Sequence, residues 1–450
     1  MKFLNKQFTQ ETLKLALPVM LTQVGQVSVN LFDNIIVGKL LGAKALAAVS
    51  LGNAMFFSIF IFGLGFSLAI PPLVSEAHSQ HDHNRINSIF RHGFVVNIIL
   101  AFVLMLLIFG IIPLMPYLNQ PKEILPDTIT FLSIVTLSII PFMIFQTMRE
   151  VSEGLSFTIG VTKATIFANI INGMLNYVFI EHFKMGVAGS AWATFIARVA
   201  MMVFLYYVLI KEEKTRRYIK DFSLKIKDFT KEMFEKLIRL GFPTALQLFF
   251  EVTAFAGAAF ICGLISAKDI AAHQIALSMA SFTFNLCVGF SVASTVMIGR
   301  KLGEKDFVNL EKVGFNNLKI AFIFMLMCGL VFILGKDVLP TFFTKKEDIA
   351  VVELASQLMI IAALFQLSDG IQVTALGCLR GIQDVKIPSI LTFIAYWVIA
   401  IPLGYYLTVP MKMGAFGMWI ALGIGLTISA VLLVIRFRNL SEKRIKAQCN

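Results

Sequence analysis

LALPVMLTQVGQVSVNLFDNIIVG, residues Leu15–Gly38, decides how this chain is read. The run is apolar and long enough to cross a hydrocarbon core of about 30 Å as a helix, and its single charge is Asp33. A carboxylate at the centre of a lipid-spanning helix costs about 2.5 to 3.5 kcal/mol on insertion scales, so it persists where it faces a cavity, an ion or a partner. Two further runs repeat the pattern: Glu251 is the only charge between Leu240 and Ala267, and Asp369 the only one between Leu354 and Leu379. Three isolated acids in apolar spans point to a path for cations or protons through a membrane.

The composition agrees, with 57% hydrophobic and 15% charged residues and a mean hydropathy of +0.80, values outside the range of soluble chains of this length. Twelve runs of 18 or more mostly apolar residues follow one another, at about 12–38, 46–76, 88–113, 127–152, 160–181, 187–210, 234–265, 271–299, 312–335, 349–378, 387–408 and 413–436. The net charge of +12 would suggest nucleic acid in a soluble protein. Its placement gives another reason. With the N-terminus inside, 29 Lys and Arg fall in internal segments and 9 in external ones, with Arg198 within the sixth span. That is the positive-inside pattern, and an even span count returns the C-terminus to the cytoplasm. No nucleic-acid partner is expected; basic loops beside anionic headgroups account for the charge. The first run is too long for a signal-peptide core and reads as span one. Cys262, Cys287, Cys328, Cys378 and Cys449 lack metal spacing and read as reduced packing residues.

The chain also repeats itself. Leu15–Pro18 (LALP) matches Leu240–Pro243 (LGFP), Ala43, Lys44, Ala47 and Ala48 match Ala267, Lys268, Ala271 and Ala272, and Gly65-Phe66-Ser67 matches Gly289-Phe290-Ser291. Gly154, Lys163 and Met185-Gly186 find counterparts in Gly377, Lys386 and Met413-Gly414. Six spans per half is an even number, so the halves are related by an axis along the membrane normal, as two bundles around a central cavity that can rock between inward- and outward-open forms. The fold class is therefore an all-α integral membrane protein of twelve transmembrane helices in two pseudo-symmetric six-helix lobes. An N-lobe is expected at 1–211, a cytoplasmic linker at 212–233, a C-lobe at 234–437 and a basic cytoplasmic tail at 438–450. The charge-and-apolar alternation of FSLKIKDFTKEMFEKL, from Phe222, predicts an amphipathic helix on the inner surface.

These residues resemble the MATE (multidrug and toxic compound extrusion) family, most closely its NorM-like branch. The resemblance runs from Leu17–Ala54 to the final span, with LGFPTALQLFFEV at Leu240, AAHQIAL at Ala271 and CLRGIQDVKIP at Cys378 as its more specific pieces. It implies export of bulky, often cationic compounds driven by inward Na⁺ or H⁺. Carried over by position, Glu251 and Asp369 match the acids of a C-lobe cation site and Asp33 the N-lobe acid, with Asn172, Asn176 and Thr194 where relatives place its polar partners. Phe365, one turn before Asp369, stands where NorM-like proteins can carry a tyrosine, which puts a hydroxyl ligand there in doubt.

The residue chemistry is consistent with those roles. Asn172 and Asn176 share a helix face, and their amide oxygens suit a hard cation beside Asp33; amides in bundles also simply hydrogen-bond across helices. Glu251 and Asp369 have no Lys or Arg within their own runs, so the pair can hold protons or, ionised, Na⁺. Arg198 lies one turn from Thr194 on one face, open either to pairing with Asp33 or, as the preferred reading, to structural support. His273 and Gln274 at the start of span eight read as packing or hydrogen-bonding support, and His78–His83 as a solvated loop rather than a metal site. Forty-three Phe and twenty Met supply a soft, ring-rich wall for varied substrates.

A secondary exporter follows, in which substrate and coupling cation compete for the acids. The expected setting is the plasma membrane (bacterial inner membrane), with both termini cytoplasmic. Its expected partners are small organic substrates and membrane lipids, acting on a monomer, with no cofactor beyond the coupling ion Na⁺ or H⁺ and no metal beyond that Na⁺. A flippase for lipid-linked precursors is the alternative within transport, expected to have more spans and a basic cavity. An intramembrane enzyme lacks a paired nucleophile and base in the spans, and the repeated halves favour alternating access over a channel.

Overall fold

The computed structural model describes residues 4–117, 121–225, 228–343 and 349–449, and all the regular structure among them is helical. The helices are α1 (Lys6–Leu41), α2 (Ala43–Ser67), α3 (Ile70–Ser79), α4 (His83–Ile111), α5 (Leu125–Leu137), α6 (Ile139–Gly154), α7 (Ile159–Tyr177), α8 (Gly186–Lys211) and α9 (Glu213–Lys220). They continue with α10 (Lys231–Gly263), α11 (Ala267–Gly303), α12 (Phe307–Gly335), α13 (Ile349–Gly381), α14 (Lys386–Phe393), α15 (Ile401–Thr408) and α16 (Gly414–Cys449). A π-helical stretch, Ile394–Ala400, joins α14 to α15, and another, Val178–His182, extends α7.

Ten helical passages among the described residues are long and apolar enough to cross a membrane, with α2–α3 and α14–α15 each counted as one. The pair α5 and α6, bent by 42°, makes an eleventh. The twelfth is α7, whose Lys163, Asn169, Asn172 and Asn176 lower its hydropathy, so the passage that reads as least apolar is one that carries candidate site residues. The chain is a multi-pass membrane protein.

The repeat seen in the sequence reappears in the turns. Left-handed residues come in matched pairs: His81 and Lys305, Ser156 and Gln383, Lys184 and Lys412, Gly186 and Gly414, all with φ between +53° and +65°. After the first pair, Asp82 caps α4 by accepting from Arg85 N (2.9 Å), and Asp306 caps α12 by accepting from Asn309 N (3.2 Å). The same chemistry thus starts equivalent helices in both halves.

The described residues form two compact units, Leu21–Ala245 and a second made of Met1–Met20 with Leu246–Asn450. The division falls inside α1 and α10, next to their internal prolines Pro18 and Pro243, rather than in the 212–233 segment. Each unit therefore contains the opening turns of the other half's first helix. A matched pair of glycines makes room for them. An added Cβ on Gly65 would lie 2.6 Å from Ala245 Cα, and one on Gly289 would lie 2.8 Å from Ala16 O.

In the first unit, α4, α5 and α6 pack on α2 through a ladder of rings, Phe56–Phe60–Phe142–Phe145, with centroids 5.0 to 5.9 Å apart. The amphipathic helix lies upstream of its expected place: α9 buries Thr215, Tyr218 and Ile219 at helical spacing, whereas Phe222 acts as a single anchor between Phe90 and Phe94 (4.8 and 5.2 Å). The segment stays on this unit through Arg91–Asp228 (2.7 Å) and the bond from Thr230 N to His92 Nε2 (2.9 Å). The residues expected as a basic tail, 438–450, continue α16 as far as Cys449.

In the second unit α11 crosses α13 closely. An added Cβ on Gly377 would lie 2.8 Å from Ser291 Cα, and Ser291 Oγ donates to Val373 O (2.7 Å) while Thr295 Oγ1 donates to Gly377 O (3.0 Å). This crossing fixes the rotation of α13, which carries Asp369. Four of the five cysteines are free thiols, Cys262, Cys287 and Cys378 buried and Cys328 partly so, while the Cys449 side chain lies outside the described residues.

Two glycine substitutions test the crossing. Gly377→Ala drives a methyl into backbone and is expected to cost about 1 to 3 kcal/mol, read as a lowered Tm of the detergent-purified protein. Gly423→Ala, with nothing within 4 Å of the new methyl, keeps or raises Tm through helix propensity.

Candidate functional site

Unit 21–245 encloses a cavity of about 450 Å³ into which α1, α2, α6, α7 and α8 contribute. Asp33 comes from α1, Asn172 from α7, and Thr194 and Arg198 from α8. Asn176, one turn beyond Asn172, donates from Nδ2 to Asp33 Oδ1 (2.7 Å) and to Asn172 Oδ1 (3.3 Å). Asp33, Asn172 and Asn176 are all buried, and Asn176 Oδ1 has no hydrogen-bond partner. The acid and the two amides singled out in the sequence are thus brought together. Thr194 lines the same cavity but spends its hydroxyl on Ser190 O (3.1 Å), as serines and threonines in helices often do.

Arg198 does not pair with Asp33; no ion pair within 4 Å joins them. Its Nη1 donates to Ser138 Oγ (2.6 Å), and its guanidinium lies over the rings of Phe56 and Phe142, 4.7 and 5.0 Å from their centroids. Those rings belong to the aromatic ladder, so α2, α5 and α6 hold the cation in place without neutralising it.

In the other unit, Glu251 on α10 and Asp369 on α13 are both buried. Gln372, one turn after Asp369, donates from Nε2 to Glu251 Oε1 (3.0 Å) and to the Tyr396 hydroxyl (3.2 Å). Tyr396 sits in the π-helical stretch, which α10 pins from beside the acid: Trp397 Nε1 donates to Phe250 O (3.0 Å), and Phe250 packs on Phe393 (4.8 Å). Gln247, one turn before Glu251, also lies beside it, and Arg380 acts on it through space while bonded to Ser291 Oγ (3.0 Å) and Leu376 O (3.3 Å). Asp369 and Glu251 feel each other's charge. Phe365 contributes no hydroxyl and packs edge-on against Phe255 and Trp419 (6.2 and 5.5 Å).

His273 is fully buried against Trp419 (5.9 Å) with neither ring nitrogen hydrogen-bonded, while Gln274 points the other way and is exposed. In the His78–His83 segment, His83 Nδ1 bonds the Tyr218 hydroxyl (2.8 Å), which ties this turn to α9.

The sequence reading missed Gln372 and Tyr396. The first was detectable, since it stands at i+3 from Asp369 on the same helix face. The second was not, because only the packing of the π-helical stretch on α10 brings it to Glu251. Both sites share one chemical plan: a buried carboxylate held by side-chain amides, with no Lys or Arg within ion-pair distance of Asp33, Glu251 or Asp369 among the described residues. Amide donors stabilise the anion but leave its charge uncancelled. The orphaned Asn176 oxygen beside Asp33 adds a hard acceptor, the donor set that a small hard cation favours.

Comparison with known proteins agrees with this architecture. The MatE family model matches twice, over residues 18–178 and 243–406, one match in each half of the repeat. The probable multidrug resistance protein NorM of Agrobacterium fabrum is 33% identical over 97% of this chain and 94% of its own length. Multidrug resistance protein NorM of Photobacterium profundum is 31% identical over 96% and 95%, and multidrug resistance protein MdtK of Yersinia pseudotuberculosis 30% over 96% and 95%. Among solved structures, a MATE in the bent conformation has a TM-score of 0.89 at 19% identity, covering 98% of this chain and 97% of that one. The eukaryotic MATE transporter AtDTX14 has 0.88 at 16%, covering 98% and 99%; these two show the shared fold. With the family model covering most of the chain and relatives matching nearly all of it, the chain belongs to the MatE family.

Proposed function

We propose that this chain exports amphipathic organic compounds across the bacterial inner membrane, both termini cytoplasmic, in exchange for inward Na⁺ or H⁺. The names of its relatives, multidrug resistance proteins, support export of varied compounds. Glu251 and Asp369 form one cation site with Gln372 and Tyr396, and Asp33 with Asn172 and Asn176 forms the other. The observation that carries this reading is that three buried carboxylates are met by amides and by no ion-paired base. Such anions are costly in a membrane protein and gain most by exchanging a cation on each cycle.

The working cycle uses two exclusive occupants. A cation arriving from outside neutralises the acids and weakens their hold on a cationic substrate, which leaves outward. Loss of the cation to the cytoplasm restores the anions and the affinity. One charge moving through 100 mV supplies about 2.3 kcal/mol, which sustains roughly a fifty-fold substrate gradient. Nothing in the cycle calls for bond chemistry, so we assign the chain no enzymatic activity, no cofactor beyond the coupling ion, and action as a monomer whose partners are its organic substrates and surrounding lipids.

Dye efflux from proteoliposomes with Na⁺ and pH gradients imposed separately tests the reading. Glu251→Gln and Asp369→Asn are each expected to abolish gradient-driven efflux while the purified proteins keep the Tm of the parent within a few degrees; full efflux in both variants would refute the assignment. Tyr396→Phe removes only the hydroxyl beside Gln372, and a several-fold rise in the cation concentration for half-maximal efflux is expected, with the maximal rate largely kept.

A further inference from the structure

Asp33 and Arg198 are the only ionisable residues lining the 450 Å³ cavity of unit 21–245 among the described residues. A basic side chain inside a membrane-spanning helix is expensive and is ordinarily paired with an acid. Arg198 is not. Its one hydrogen bond goes to the neutral Ser138 hydroxyl, it forms no ion pair within 4 Å, and the Asp33 oxygen nearest to hand is taken by Asn176. A guanidinium carries five N–H donors in a rigid fork, so most of that fork is left for whatever occupies the cavity. The rings of Phe56 and Phe142, at 4.7 and 5.0 Å, hold the fork's plane and supply no counter-charge.

We infer that Arg198 is a carboxylate anchor, and that the cavity takes aromatic solutes bearing a carboxylate, zwitterions above all, with the acid on Arg198 and the cationic end toward Asp33. This deepens the transport reading, on which it rests, by naming a substrate class. A simple monocation satisfies Asp33 but leaves Arg198 unmatched and repelled by it. A zwitterion satisfies both groups, and its planar carboxylate can accept two parallel bonds from the fork. Phe57 and Phe60 add further ring surface in the cavity for an aromatic body. The volume falls within the range of cavities that enclose drug-sized ligands. Competition with the coupling cation is retained, because the cationic end of the solute and the incoming ion both seek Asp33.

A free-acid rhodamine and its methyl ester share one ring system and differ only in the carboxylate, so the pair isolates the anchor. Fluorescence polarisation with the purified, detergent-solubilised chain is expected to show tighter binding of the acid than of the ester. Arg198→Gln should invert that order, weakening the acid about ten- to a hundred-fold, as loss of hydrogen bonds to a charged group does, and tightening the ester by removing a repulsive charge. Arg198→Lys, which keeps the charge but loses the fork, should fall between. Wild-type protein that binds the ester at least as tightly as the acid overturns the inference without any variant, and so does Arg198→Gln lowering both affinities by one factor. Gradient-driven efflux of the ester, measured alongside in proteoliposomes, separates the two readings. Acid preference without efflux upholds the anchor and sinks the transport cycle; efflux without acid preference upholds the cycle and sinks the anchor.

Discussion

Neutral amides beside buried carboxylates are the interaction on which the rest of this structure depends. An arginine salt bridge at Asp33 or Glu251 would meet the desolvation cost of the acid but would occupy it permanently, since breaking a buried pair leaves two uncompensated charges. Asn176 and Gln372 give a charge-assisted hydrogen bond and no counter-charge. The two arginines that come near are tied elsewhere, Arg198 to Ser138 and two rings, Arg380 to Ser291 and the Leu376 carbonyl. The acids therefore keep their charge available to something that comes and goes.

The halves share a backbone plan but not a charge plan. By the repeat, Glu251 and Asp369 correspond to Gln26 and Gln146, so the acids of one half have neutral amides as counterparts in the other. Gln372, which serves Glu251, corresponds to Arg149, and Arg149 is instead closed into a buried pair with Glu153 (2.7 Å). Matched left-handed turns and matched caps show that duplication preserved what folding needs. The polar interior diverged until each half held its own acid site, one open on a cavity lined by Phe56 and Phe57, the other set among Phe255, Phe365 and Tyr396.

Much of this was legible from residue order alone. Apolar runs reveal helices because lipid and helix packing both demand apolar side chains, and isolated acids stand out against such a background. Asn172 and Asn176 were found because helical spacing puts them on one face. Tyr396 was hidden because a π-helical stretch shifts its direction away from regular spacing and only packing on Phe250 fixes it. The amphipathic helix was misplaced because charge alternation after Phe222 resembles a helical face, whereas the chain there is held by a few ring contacts. The division at Met20 and Ala245 was invisible for a different reason: it follows from close backbone approach at Gly65 and Gly289, which depends on partners far away in sequence.

That division has a consequence for how the protein is made. A ribosome releases residues 21–245 as a complete set, so this bundle can consolidate while the remainder is still being synthesised. The other bundle needs the first twenty residues, which must stay undocked until α11 and α12 emerge to receive Thr12 at Asn317 and Glu11 at Arg300. The earliest stretch translated is thus among the last to find its place, and the nascent chain carries its own amino terminus as an unpaired part through most of biogenesis.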